Sequence, residues 1–461
     1  MHDRFRRVAV SVACAALLGA ACPVAGQPLD EDIEPFEDTA VTAGDYDPLE
    51  GMDPDGRIPR PEMPADLPNP ERWRYIPEGR IKPGNIFQRL LVTSFVIPLI
   101  FVESDVGAGG GIALTDIDFR QQRRREFAGV FLSYTTRGQQ SYRIAWRRWL
   151  HHREHPGGGV LQEERSFLRA GGGYSKSLTR RFFGLGPHSQ ESDETSFSDE
   201  LSAFYLGIER ALPRPGDDWV LGLGVRGEHH HLSKGEVSGE PSTQAFYPQL
   251  FDEAQDASLG WLELGVAWDT RDSQRNPYRG TRIAVLAEGA VLQRKGKTGG
   301  RFTLEASHVI PVPGLLHDGG DPGEEHPPTD TLALGLFSLA TAGSLPFFDL
   351  PSLGGDRLLR GFIAGRWRDR SSWTAASEYR FWVIPRGFRI TDSIRVERLG
   401  LAFFYEIGAV APDWPDIFTT RIRQSYGVSF RASLERAAPF RVDLGFSEDG
   451  MQVNAAFGLS F

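Results

Sequence analysis

Apolar residues recur at every second position through most of this chain. In the last eleven residues, MQVNAAFGLSF, one parity holds Met451, Val453, Ala455, Phe457, Leu459 and Phe461, and the other holds Gln452, Asn454, Ala456, Gly458 and Ser460. LGLAFFYEIG sets Leu399, Leu401, Phe403, Tyr405 and Ile407 against Gly400, Ala402, Phe404, Glu406 and Gly408. SYGVSFRASL sets Tyr426, Val428, Phe430, Ala432 and Leu434 against Gly427, Ser429, Arg431 and Ser433. A period of two marks β-strands with one apolar face and one polar or small-residue face. The pattern predicts strands at about 106–119, 126–136, 140–150, 165–177, 197–212, 218–231, 258–269, 280–293, 300–311 and 330–343. After an irregular stretch come about 372–384, 397–410, 424–435, 438–447 and 450–461.

A soluble sandwich also alternates, but its strands commonly run five or six residues. Here they approach ten to fourteen, and the second face mixes Gly, Ala and Ser with Arg431, Arg441, Asp443, Glu378 and Glu406. Long strands with one greasy and one wet face fit a transmembrane barrel, which must close on itself to pair every backbone group in lipid. Single-chain bacterial barrels have even strand numbers, so the fifteen segments above imply a sixteenth, at about 93–103 or within 240–256. The expected fold class is all-β: an antiparallel transmembrane barrel of sixteen strands.

The first 26 residues change the compartment. Arg4, Arg6 and Arg7 precede an apolar run from Val8 to Ala21, and Val24 and Gly26 stand at −3 and −1 of a cut before Gln27. That is a secretory signal peptide, too short for a spanning helix. Lipidation of Cys22 is the alternative, disfavoured because Gly19 stands where such a site wants an aliphatic residue. Both cysteines, Cys14 and Cys22, lie in this leader, so the expected mature chain holds no thiol. Residues 27–90, acidic and proline-rich (DEDIEPFEDT, DYDPLEGMDPDG), read as a disordered periplasmic segment ahead of a barrel at 91–461. A net charge of −10 argues against nucleic acid as a partner, and a mean hydropathy of −0.31 is too polar for a helical membrane protein.

Two stretches go beyond texture. WDTRDSQRNPYRGTR (268–282) joins two strands through a turn rich in Asp, Asn, Pro and Gly, and SLPFFDLPSLGGDRLLRGF (344–362) follows a strong strand. With AASEYRFWVIP (375–385), FYEIG (404–408) and the terminal Phe461, they resemble, in order and spacing, the outer-membrane protein 85 superfamily, also called the bacterial surface antigen family. The resemblance covers about 95–461 and implies a sixteen-stranded outer-membrane barrel whose sixth extracellular loop folds into the lumen. It implies a tip at Arg360, Gly361 and Phe362, a bend at Gly354 and Gly355, and acidic wall positions at Glu378 and Glu406. Glu406 stands where the family usually has Asp. No periplasmic polypeptide-transport-associated module is read before the barrel, where the family usually carries them. Parity independently places both acids on the wet face, Glu406 with Gly400 and Ala402, Glu378 with Arg380. A loop arginine would give them a bidentate partner, and Phe461 is expected to end the last strand at the periplasmic rim as an insertion signal.

The implied function is outer-membrane protein or lipid assembly or translocation, in the bacterial outer membrane. The implied partners are outer-membrane lipids, the barrel-assembly machinery during insertion, and a protein or lipid client. A diffusion porin and an outer-membrane enzyme are the alternatives. For the enzyme no nucleophile–base constellation is readable: there is no G-x-S-x-G, H-E-x-x-H, paired C-x-x-C or phosphate loop. No cofactor or metal is expected. His229–His231 lie on a strand that sends alternate side chains to opposite faces, which suits no metal site. Asp269 and Asp272 sit in a turn with Asn276, Pro277 and Gly280, where backbone capping is expected. The basic run at Arg123–Arg125 reads as a solvated turn.

Overall fold

A computed structural model describes residues 57, 59–76, 95–103, 105–117, 124–293, 298–321, 323–325, 327–391, 394–434 and 438–461. The leader and most of the acidic segment lie outside the described residues. The strands, in chain order, begin with β1 (Trp73–Ile76), β2 (Phe95–Glu103), β3 (Gly107–Ile117), β4 (Glu126–Thr135), β5 (Gln140–Trp149), β6 (His152–Glu154) and β7 (Val160–Glu163). The middle set is β8 (Phe167–Phe182), β9 (Thr195–Leu212), β10 (Trp219–Lys234), β11 (Ala257–Asp269), β12 (Gly280–Gln293), β13 (Gly299–Val312) and β14 (Asp330–Gly343). The last are β15 (Ser352–Leu353), β16 (Trp367–Arg368), β17 (Ser371–Ile384), β18 (Phe388–Thr391), β19 (Ile394–Ala411), β20 (Arg423–Leu434), β21 (Ala438–Ser447) and β22 (Gly450–Phe457).

All but β1, β6, β7, β15 and β16 belong to one closed barrel of antiparallel neighbours. The strand missing from the periodicity is β2, and 240–256 instead carries two short helices, α1 (Thr243–Phe246) and α2 (Pro248–Ala254). No helix among the described residues is long and apolar enough to cross a membrane, which says nothing about strands.

The alternation sorts as expected. On β19, Phe403 and Tyr405 are 52% and 47% exposed, whereas Ala402, Phe404 and Glu406 are buried. Leu221, Leu223 and Val225 on β10, and Leu262, Leu264 and Val266 on β11, continue the outward apolar belt. A barrel with apolar residues outside inverts the soluble rule, and so large an exposed apolar surface marks a contact with something other than water.

Two expectations need correction. The last strand stops at Phe457; Gly458 takes φ +90, and the final residues turn inward. Ser460 is buried and donates to Glu378 Oε2 at 3.0 Å. Phe461 therefore does not end a strand at the rim. Nor does the described part of the pre-barrel segment behave as a loose tether. Residues 59–76 run along the rim formed by 150–166, 213–218 and 270–279 and reach Gly323 and Glu324 beyond it. Pro59 bridges Glu324, Asn69 donates to Asp217 at 2.7 Å, Arg72 pairs with Asp218 at 3.2 Å, and β1 joins β7 and β6 in a three-stranded sheet. Proline and charge suppress a hydrophobic core of its own, but polar ties and a strand ladder hold the segment to the turns.

These ties are acid-labile in a predictable direction. The Arg153 hydrogen bond holds Asp66 below the ordinary carboxylate range, Asn69 does so for Asp217, and Arg386 for Glu324, which also faces Arg57. A carboxylate depressed in the folded state stabilises it above the ordinary pKa of about 4 and loses that contribution as pH falls through the depressed value. Trypsin-type sites at Arg60, Arg72 and Arg74 should thus be protected at neutral pH, and an acid-active protease should open 59–76 below about pH 4. Equal protection at pH 7 and pH 3 would count against this anchoring.

Candidate functional site: the loop 344–370 and its acidic wall

The loop leaves β14 at Gly343 and returns at β17. Its ascending arm is pinned by aromatics: Phe347 and Phe348 join Phe182, Phe197, Leu232, Phe251 and Trp261 in a buried cluster. Arg368 ties the two arms together, donating to the carbonyl oxygens of Phe347 (3.1 Å), Phe348 (2.6 Å) and Leu350 (3.1 Å). β15 and β16 pair through Ser352 with Arg368 and Leu353 with Trp367. Between them the chain reverses at Gly354 (φ +94) and Gly355 (φ +123). A Cβ on Gly354 would come within 2.2 Å of the Ile363 carbonyl oxygen, so the bend has both a dihedral and a steric need for glycine. Phe362 caps the tip by an edge-on contact with Trp367 at 4.6 Å.

Arg360 is fully buried at the end of this hairpin. Its backbone N–H donates to Glu406 Oε2 (2.7 Å) and its Nε to Glu406 Oε1 (2.8 Å). Nη2 donates to Glu378 Oε2 (2.9 Å) and Nη1 to Asp443 Oδ1 (3.2 Å), while the guanidinium lies 3.6 Å over the Phe404 ring. The planar five-donor fork thus meets three carboxylates and a π-face at once, which an ammonium would not do.

Register explains why these acids converge. β17 pairs with β19 so that Ala376 faces Glu406 and Glu378 faces Phe404. β19 pairs with β20 so that Glu406 faces Ser425, whose hydroxyl donates to Glu406 Oε2 at 2.7 Å. Asp443 sits one strand further, opposite Ser429. Two of the acids also have wall arginines: Arg380 Nε donates to Glu378 Oε1 (2.7 Å), Arg431 lies 3.9 Å from Glu378, and Arg441 pairs with Asp443. Three carboxylates (Glu378, Glu406, Asp443) therefore meet four guanidiniums (Arg360, Arg380, Arg431, Arg441), the condition under which buried charge is tolerable.

The tip's backbone is held as well. Asn454 donates to the Arg360 carbonyl oxygen (3.1 Å) and Ser447 to that of Gly361 (2.6 Å). At the chain end, Arg380 donates to the Phe461 carbonyl oxygen at 3.3 Å and its guanidinium lies 5.3 Å from the Phe461 ring.

The structure brings together Arg360, Glu378 and Glu406, the residues singled out by sequence. The reading missed Asp443 as a partner, although parity had grouped it with the wet-face charges, and it missed Phe347, Phe348 and Arg368. The other candidates separate. His230 pairs with buried Asp199 at 3.0 Å, His229 meets Ser258 at 2.9 Å, and His231 meets Asp256 at 2.5 Å, so the three histidines do not converge. Asp272 caps backbone N–H groups of Tyr278 (3.0 Å) and Arg279 (3.3 Å). Asp269 caps the Arg271 N–H at 3.0 Å and also chelates its guanidinium at 3.0 and 2.8 Å.

The Omp85 superfamily domain matches residues 131–461. The chain belongs to the Omp85 superfamily. No curated protein matches it in sequence. Among solved structures, this Omp85 chain is similar to BamA from Haemophilus ducreyi lacking POTRA domains 1–3, at 14% identity and a TM-score of 0.46, over 79% of this chain and 69% of that one. It is also similar to CdiB from Acinetobacter baumannii, at 13% identity and a TM-score of 0.44, over 77% of this chain and 56% of that one.

Proposed function

We propose that this Omp85 chain is a sixteen-stranded barrel of the bacterial outer membrane that serves protein or lipid assembly or translocation, with the Arg360 loop as a latch inside its lumen. The count takes β17 and β18 as one wall position, since both pair with β19. With the pre-barrel segment in the periplasm, the rim of turns 150–166 to 313–329 faces the periplasm and the loop 344–370 enters from outside. The observation that carries the reading is the burial of Arg360 among Glu378, Glu406 and Asp443. A passive pore has no use for a charged plug held to both walls, and no catalytic role is assigned to any residue. Outer-membrane lipids meet the apolar belt, and a protein or lipid client is the cargo. Depleting the protein and comparing outer-membrane proteome and lipid asymmetry tests this: a selective loss of barrel proteins or of asymmetry is expected, and an unchanged envelope would refute it. In planar bilayers the native barrel should be mostly closed; large, steady conductance would favour the porin.

Phe461 is proposed to contribute to insertion. Its deletion removes the ring from Arg380 and from Gly335, where a Cβ would lie 2.7 Å from the ring. The yield of inserted barrel is expected to fall severalfold; unchanged yield and rate would dismiss the role.

A further inference from the structure

Around Trp261 the barrel interior matches its cations with acids: Arg226 meets Glu228, Glu263 and Glu288, and Arg301 meets Glu288 and Asp349. A neighbouring recess does not. On β5, Tyr142 and Ile144 belong to the exposed apolar belt, so the opposite parity carries Ala145 and Arg147 inward. Register then sets Arg147 directly opposite Arg169 of β8, and like charges facing each other across a ladder destabilise it. Arg275, in the turn 270–279, is a third cation that repels Arg147, as Arg169 does.

The recess measures about 540 Å³ and sets Arg147, Arg169, Arg226 and Arg275 against the single acid Glu263. Glu263 is already shared between Arg226 Nε (3.1 Å) and Arg169 Nη2 (3.3 Å). Among the described residues, the Arg147 and Arg275 side chains have neither a hydrogen bond nor an ion pair, and Glu209 and Glu164 attract Arg147 only from further off. The Arg147 guanidinium lies 4.3 Å from the centre of the Phe167 ring, on a buried floor of Phe127, Trp149 and Phe167. A stacked guanidinium keeps its in-plane donors free. Two glycines seat further donors beside it: a Cβ on Gly171 would come within 2.5 Å of the Tyr205 hydroxyl oxygen, and one on Gly207 within 3.0 Å of Arg169 Nε. Neither that hydroxyl nor that Nε makes a hydrogen bond among the described residues.

We propose that this recess binds a phosphate-bearing anion, with Arg147 and Arg275 as its principal donors and with Arg169 and the Tyr205 hydroxyl completing its shell. The chemistry follows from the donors. Guanidiniums hold phosphate through paired N–H groups, and a doubly charged oxyanion offsets both unmatched cations and relieves the Arg147–Arg169 repulsion. The volume leaves room for an organic group on the phosphate, so the anion is a free phosphate ester or the headgroup of an anionic lipid. The site requires only the closed barrel and stands apart from the assembly reading above.

The test uses the full-length barrel folded in an uncharged, phosphate-free detergent and titrated calorimetrically at constant ionic strength. The probes are pyrophosphate, glycerophosphoglycerol and dihexanoyl phosphatidylglycerol; the last two share a phosphodiester and differ in acyl chains. Pyrophosphate should bind the wild type saturably. Arg147→Gln combined with Arg275→Gln should weaken that binding roughly tenfold or more, the scale of losing a charge-assisted hydrogen bond. Arg214→Gln, at a 70% exposed side chain in the turn 213–218, should leave it unchanged. No saturable binding of any probe, equal binding in wild type and double variant, or equal weakening by Arg214→Gln overturns the proposal. Tighter binding of the acylated probe than of its deacylated headgroup supports the site and assigns a lipid. Equal or weaker binding supports the site and assigns a free phosphate ester. Should the double variant fail to fold, phenylglyoxal labelling of the wild type decides. Pyrophosphate should slow modification of Arg147 and Arg275 several-fold and spare Arg214 any change, and absence of protection overturns the site.

Discussion

Arg360→Glu is expected to expel the loop 344–370 from the barrel interior while the barrel stays folded. In the wild type the Arg360 side chain is fully buried, as are those of Glu406 and Asp443, with Glu378 at 2% exposure. Removing one partner of a buried ion pair costs about 3–5 kcal/mol because the other charge is stranded. Arg360→Ala should sit at the low end, since Arg380, Arg431 and Arg441 still neutralise the wall. Arg360→Glu adds a fourth carboxylate and should release the loop completely. The barrel is sealed by its backbone ladder, so heat-modifiable migration on gels should persist in both variants. Trypsin should then cut at Arg357, Arg366 and Arg370, and ion leak should rise. Combining Arg360→Glu with Glu406→Arg should restore closure only in part, because Glu378 and Asp443 would still oppose the reversed tip. A loop as protected in Arg360→Glu as in the wild type would end the latch idea.

Gly445→Ala should release the same loop with every charge left in place. A Cβ on Gly445 would lie 2.4 Å from the Arg360 carbonyl oxygen and 2.7 Å from the Gly361 nitrogen. Both are backbone atoms, so no side chain can swing aside, and such overpacking costs about 1–3 kcal/mol. Gly445 shares its strand face with Asp443, so the methyl pushes on the tip where the acid pulls. Gly265→Ala is the matched control, because its Cβ would meet Leu286 Cδ1 at 3.6 Å and the Val285 carbonyl oxygen at 3.9 Å, both ordinary contacts. Protease access to 345–370 in Gly445→Ala but not Gly265→Ala is the expected outcome. Full protection in both would mean that the tip tolerates displacement and is not closely seated.

What the sequence disclosed here, and what it hid, divides along local and non-local physics. Parity is local: it put Glu378 and Glu406 on the inner face because each sits in a run of clean alternation. β2 was ambiguous because FVIPLIFVE is a nearly continuous apolar run with Pro98 inside it, which fits more than one structure. The chain end misled for the opposite reason. Alternation runs on through Leu459 and Phe461, and only the left-handed turn at Gly458 shows that the strand has ended. Asp443 as a partner of Arg360 depends on register summed over three strand pairs, which no single window contains. The segment 59–76 reads as disordered because its own composition cannot build a core; what orders it are residues far along the chain, Glu163 opposite Trp73, 90 positions on, and Glu324 opposite Pro59, 265 positions on.

The partners of Arg360 also impose a timetable. Its side chain meets Glu406 and Asp443, 46 and 83 residues later, and its carbonyl oxygen meets Asn454, 94 residues later. Glu378, its nearest partner in sequence, is itself held by Ser460, one residue from the C-terminus. Contacts of such long range form late, after the loop-closure entropy of everything between them has been met. During synthesis and insertion, the tip of the loop has no complete seat until the final strand is in position. A chain truncated after β21 would contain every acid that binds the arginine, yet lack Asn454, which holds the Arg360 carbonyl, and Ser460, which donates to Glu378. A fully seated tip therefore reports that β22 is in place.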